Sequence, residues 1–156
     1  MTSPIPTPRG PERNVKLHQA GVSSEPGRAD ITVRFSGNLL STGSPLEGGA
    51  APDAQHKRIQ LLTLDEVFAD TPLNLVKIDV EGHEMSVLRG ARQVPKRDRP
   101  TLVMEALVDA ALDDLIAEFD PLGYDVHWIA EHDGGLVPWN KPRPPHTRNV
   151  LFAPRN

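Results

Sequence analysis

The stretch Leu75-Val76-Lys77-Ile78-Asp79-Val80-Glu81-Gly82-His83-Glu84 constrains this chain more than any other. An apolar run ends in two carboxylates and a glycine, and an amphipathic segment follows at once. Buried strands of parallel sheets read as near-continuous apolar runs, and open α/β folds bind ligands at the carboxyl ends of such strands. The decapeptide therefore predicts a buried parallel strand from Leu75 to Val80 that carries acidic side chains to a ligand-binding edge.

Its surroundings fit an α/β fold. Thr63-Leu64-Asp65-Glu66 is a capping-box pattern, which predicts a short helix to about Ala69 with Val67 and Phe68 inward. A second helix starts near His83, places Met85, Leu88 and Ala91 on one face and ends before Pro95. Thr101 to Glu105 reads as another buried strand closing in a carboxylate. Leu112, Leu115, Ile116, Phe119 and Leu122 fall at helical spacing, which predicts an amphipathic helix over 108–120 that stops near Gly123. Tyr124 to Ala130 reads as a strand, Gly134-Gly135 as a turn, and Asn149 to Ala153 as a final strand. The order from Leu75 on argues for a doubly wound sheet whose last two strands form an antiparallel pair.

Upstream, Asn14 to Val22 reads as a short strand and Ala29 to Phe35 as a half-buried one, with Arg58 to Leu62 pairing beside it. Residues 36–57 are read as one long loop rich in Gly, Ser, Pro and Ala. Residues 1–13 are proline-rich and read as a disordered tail, leaving 14–156 as the folded unit.

Composition narrows the partners. A formal charge of −4 without a long Lys/Arg cluster gives no reason to expect nucleic acid. The basic group Pro95 to Arg99 contains Asp98 and reads as a solvated loop. No segment approaches the roughly 20 apolar residues of a membrane helix, and the amino terminus lacks the apolar stretch of a signal peptide. The absence of cysteine excludes disulfides, thiolate nucleophiles and Cys-based zinc sites, and agrees with a cytoplasmic setting.

Val76-Lys77-Ile78-Asp79-Val80-Glu81-Gly82, then Glu84, then Val87-Leu88-Arg89-Gly90-Ala91, then Pro100 and Glu105, resemble the signature of the FkbM-family methyltransferases. Other landmarks keep that family's order: Asn14, Leu64-Asp65, Leu122-Gly123-Tyr124 and Asn149-Val150-Leu151-Phe152, so the resemblance spans about residues 14–154. It implies S-adenosylmethionine as cofactor, a hydroxyl on a small molecule or glycan as acceptor, and a Rossmann-like methyltransferase sheet. The family's glycine-rich turn after its first strand has no counterpart before Asn14, and Gly48-Gly49-Ala50-Ala51 follows no apolar strand. The expectation is thus an incomplete sheet and an amino-terminally truncated enzyme. The alternative is a non-catalytic remnant or binding module. An open sheet edge would suit a second copy or a partner chain that completes it.

With the resemblance, Asp79 and Glu81 are the expected catalytic carboxylates, since methyl transfer needs positioning and a base for the acceptor's proton. Asp79 and Gly82 are the expected cofactor contacts, and Glu81, His83 and Glu105 the expected substrate contacts. The competing reading is that these carboxylates favour the positive end of the following helix, worth about 0.3–1 kcal/mol each. His83 reads equally as an exposed first-turn residue. No metal site is expected, because Asp79, Glu81, His83 and Glu84 lack ligand spacing. Trp128, Trp139 and Tyr124 are read either as an acceptor pocket or as hairpin core.

Overall fold

The computed structural model describes residues 15–34, 43–45, 54–80, 82–105 and 112–155. The expected amino-terminal tail, most of the expected long loop and Glu81 lie outside them. Among the described residues two sheets form instead of one. The first contains β1 (Ala20–Val22), β2 (Gly27–Arg34), β3 (Gly43–Pro45) and β4 (Ala54–Leu62) in the order β1-β4-β2-β3. Here β1 runs parallel to β4, whereas β2 is antiparallel to both β4 and β3. Both β3 and the start of β4 fall within the span read as a loop. Its Gly, Ser and Pro content hid β3, because strand pairing there is decided by β2 alongside.

The second sheet contains β5 (Leu75–Ile78), β6 (Thr101–Glu105), β7 (Tyr124–Ile129), β8 (Leu136–Pro138) and β9 (Asn149–Pro154) in the order β5-β6-β9-β7-β8. β5 and β6 are parallel; β9 is antiparallel to both β6 and β7. The expected antiparallel pair of terminal strands is therefore present, with β8 added at its edge. The expectation of a single doubly wound sheet is corrected: β1 pairs with β4, and β5 ends the second sheet. The reading of β5 as a buried strand is corrected too. Its sequence is apolar enough for burial, yet Leu75 is 62% exposed because β6 is its one strand neighbour among the described residues.

Among the described residues, four short α-helices connect and cover these strands. α1 (Leu64–Val67) begins in the predicted capping box, with Thr63 Oγ1 accepting from the Glu66 amide and the Glu66 carboxylate accepting from the Thr63 amide. Leu64 is its fully buried residue, and Phe68 packs half-buried against the core, as expected. The Asp65 carboxylate accepts from the amides of Gln93 and Val94, and so caps α3 (Val94–Arg97). α2 (Glu84–Arg89) precedes it and buries Val87 and Leu88. α2 ends before Pro95, as the sequence predicts, and Pro95 sits in the first turn of α3, where its missing amide costs nothing. α4 (Leu112–Phe119) buries Leu112, Leu115 and Phe119 against the second sheet.

The core lies under α4. Val150 and Phe152 of β9 are fully buried between Leu102 and Met104 of β6 and Tyr124 and Trp128 of β7. Phe119 meets the rings of Tyr124 and Phe152 edge-on at 5.3 and 5.1 Å. The group Pro95 to Arg99 is not a solvated loop. Arg97 donates to the carbonyls of Phe68 and Ala69 at 2.8 and 2.6 Å, and Arg99 to those of Leu122 and Arg155 at 2.8 Å each. These guanidiniums donate to carbonyls at or just beyond the ends of helices and strands, that of Phe68 also accepting from the Thr71 amide at 3.3 Å.

Candidate active site

The parallel register of β5 and β6 pairs Ile78 with Met104, so the next residues, Asp79 and Glu105, emerge side by side at the carboxyl end of the sheet. β9 enters at the same end, with Asn149 paired to Glu105. Lys77 shares a strand face with Asp79, as period-two alternation requires. Its ammonium donates to Asp79 Oδ2 at 3.2 Å and to Asn149 Oδ1 at 3.4 Å. Glu131, just past β7, accepts from Asn149 Nδ2 at 3.4 Å and from the Arg148 amide at 3.2 Å. The Arg148 guanidinium lies 3.9 Å from Glu105 Oε1.

This cluster keeps Asp79 ionised. The Lys77 ammonium, and next a hydrogen bond with Glu105, hold its carboxyl below the usual carboxylate range, while modest burial opposes them. Asp79 is also about half exposed, so its carboxylate is available to a ligand. The helix-capping alternative fits Glu84 better: its Oε1 accepts from the Gly82 amide at 3.0 Å, whereas Asp79 turns toward Lys77.

Gly82 has φ +93°, a conformation that side chains rarely adopt, and open space where a Cβ would stand. His83 is not the exposed first-turn residue of one reading. It is half-buried, with Nε2 3.1 Å from Ser23 Oγ in the turn after β1, and so ties the Asp79–Gly82 segment to the end of the first sheet. Lys77, Asn149, Glu131 and Arg148 complete the cluster. Of these, sequence spacing placed Lys77 beside Asp79; the others needed the antiparallel β9 to bring them in.

The aromatic residues divide. Tyr124 and Trp128 are core, at 1% and 2% exposure, and the Tyr124 hydroxyl donates to the Pro100 carbonyl at 3.0 Å. Trp139 packs against Trp128 at 4.8 Å and lines a cavity of about 330 Å³ with Asp125, His127 and Asn140. That cavity lies toward Tyr124, which pairs with Pro154, and therefore away from the Asn149 end where Asp79 stands. Among the described residues no group of three or more His, Asp or Glu side chains is placed to hold a metal ion.

Comparison with protein-family models matches residues 6–126 to the methyltransferase FkbM domain. The chain belongs to the FkbM methyltransferase family. Comparisons with curated proteins and with solved structures returned no match. FkbM methyltransferases depend on S-adenosylmethionine. The matched span contains both β5 and β6, hence Asp79, Gly82, His83 and Glu105 of this FkbM chain. An accessible, ionised carboxylate and a glycine whose Cβ side is open suit the polar groups of a sulfonium nucleoside.

Proposed function

We propose that this FkbM chain transfers a methyl group from S-adenosylmethionine to a hydroxyl of a sugar or secondary metabolite, at the carboxyl end of β5. The observation that carries the reading is the Asp79 carboxylate, kept ionised by Lys77 and open to solvent beside Gly82. Asp79 and Gly82 would hold the cofactor, with Glu81, His83 and Glu105 toward the acceptor. Bound there, the cofactor would supply an electrophilic methyl group and a neutral thioether as leaving group.

The chain's own part is orientation and proton removal. Asp79 accepts the hydroxyl's hydrogen bond and takes its proton as the oxygen is alkylated. An alkylated oxygen is a strong acid, so a carboxylate of lowered pKa is base enough, and staying ionised matters more than basicity. His83, bonded to Ser23, fixes the turn that carries Gly82.

A second proposal concerns assembly. The exposed Leu75 on the edge of the second sheet supports docking of a further strand, from another copy or a partner chain, against β5. Rossmann-like continuity of the sheet would follow from that pairing. Calorimetric titration of the full chain with S-adenosylmethionine tests the function: saturable micromolar heat, with methyl transfer to a hydroxyl acceptor, supports it. A folded chain that gives no heat, either alone or in the oligomer resolved by sedimentation, refutes it and leaves a binding module of methyltransferase ancestry.

A further inference from the structure

The Lys77 ammonium joins β5 to β9, and three acceptors stand within reach of its N–H groups. They are Asp79 Oδ2 at 3.2 Å, Asn149 Oδ1 at 3.4 Å and the Ile78 carbonyl at 3.5 Å. Its side chain is 47% exposed, and that of Asp79 53%. A flexible stem this open samples many rotamers, and an isolated exposed ion pair contributes only about 0–1 kcal/mol. Something else must hold the ammonium over Asp79. Asn149 is suited to that, because its backbone pairs with Glu105 on one side and Ile129 on the other, so its amide starts from a fixed position.

An amide can turn either end toward Lys77, and only its oxygen accepts. Glu131 decides which end it is. Its Oε1 accepts from Asn149 Nδ2 at 3.4 Å and is itself held by the Arg148 amide at 3.2 Å. A carboxylate only accepts and an ammonium only donates, so an amide between them has one orientation that satisfies both. An aspartate at 149 would set two carboxylates against each other, and an apolar residue would serve neither neighbour. We propose that Asn149, oriented by Glu131, is a positioning residue that aims the Lys77 ammonium at Asp79. The proposal rests on the methyltransferase reading for the use made of Asp79, and it brings β9 and the turn after β7 into control of that carboxylate. The other charged pair at this end, Arg148 and Glu105, stands 3.9 Å apart.

The test is a carboxyl-carbon NMR pH titration of Asp79 in the full chain and in N149A, K77M, K77M/N149A, E131A and E131Q. With the ammonium no longer aimed, N149A should raise the Asp79 midpoint by about half a unit, about threefold in its protonation constant. In the K77M background the same substitution should change nothing, because no ammonium is left to aim. E131A and E131Q remove the same charge, but only the glutamine keeps an acceptor for Asn149. The Asp79 midpoint should therefore be higher in E131A than in E131Q. Glu131 is exposed and lies outside the strands, so this second comparison decides the matter even if N149A does not fold. An Asp79 midpoint unmoved in N149A would overturn the proposal. So would a shift of equal size in the K77M background, or equal midpoints in E131A and E131Q. The titrations need no cofactor: failure to bind S-adenosylmethionine would refute the methyltransferase reading and leave these midpoints as they are.

Discussion

Replacing Gly90 by Ala should destabilise the chain through a single backbone contact. A Cβ built at Gly90 would stand 2.1 Å from the Ser23 carbonyl oxygen, 3.1 Å from its carbonyl carbon and 3.3 Å from Ser24 Cα. Ordinary contact begins near 3.4 Å, so more than 1 Å must open between the end of α2 and the turn after β1. No side chain can swing aside, because the obstacle is backbone. Moving the turn strains the Ser23 amide bond to the Leu62 carbonyl at 2.9 Å and the Ser23–His83 bond at 3.1 Å. Moving α2 instead strains the Asp65 amide bond to the Gly90 carbonyl at 3.1 Å and loosens Leu88 and Ala91 in the core.

Two hydrogen bonds at about 1 kcal/mol each, added to overpacking of about 1–3 kcal/mol, set the cost. Reduced chain entropy in the unfolded state returns about 0.4–1 kcal/mol to alanine. The expected net loss is about 2–4.5 kcal/mol. Urea unfolding followed by circular dichroism would show it as a lowered midpoint at unchanged slope. A midpoint equal to or above that of the unsubstituted chain would refute the idea that α2 and the β1 turn are in rigid contact.

Other outcomes follow from the same contacts. K77M removes the largest influence lowering the Asp79 pKa, so the Asp79 carboxyl should titrate at higher pH in an NMR titration. The sign is fixed by linkage: stability from this pair is present above the unfolded carboxyl pKa and is lost as pH falls through the lower folded value. The unsubstituted chain should therefore lose more stability than K77M on acidification below about pH 4. R155A should cost about 1–2 kcal/mol in thermal or urea unfolding. It removes bonds to the Asp120 carboxylate, the Tyr124 carbonyl at 2.9 Å and the Asp125 carboxylate at 3.0 Å. Because β8 pairs only with the later part of β7, Arg155 also covers the open edge at Tyr124, and R155A should self-associate more in sedimentation.

Much of the local structure was legible in the residues. The capping box at Thr63, the strand ending in Glu105 and the helix from Leu112 to Phe119 all form where spacing places them. Local rules suffice there: a hydroxyl reaching its own helix, alternation on a pleat, an apolar stripe at helical period. β3 and β8 were not legible, because short strands with Gly or Pro exist only through the strand beside them. Nor were the roles of Arg97 and Arg99, whose charges suggested solvent while their donors reach carbonyls distant in sequence.

The candidate site divides along the same line. The sequence by itself determined that Asp79, Glu81 and Gly82 follow an apolar strand, that Lys77 shares the face of Asp79, and, through its motifs, the family. Tertiary structure alone decided that Glu105 stands against Asp79, that Asn149, Arg148 and Glu131 close around them, and that His83 points to Ser23. It also decided that β5 ends its sheet with Leu75 exposed. The physical reason is distance along the chain. Periodicity fixes which side of a strand a residue occupies, but which strand lies next to it is set by packing among segments tens of residues apart.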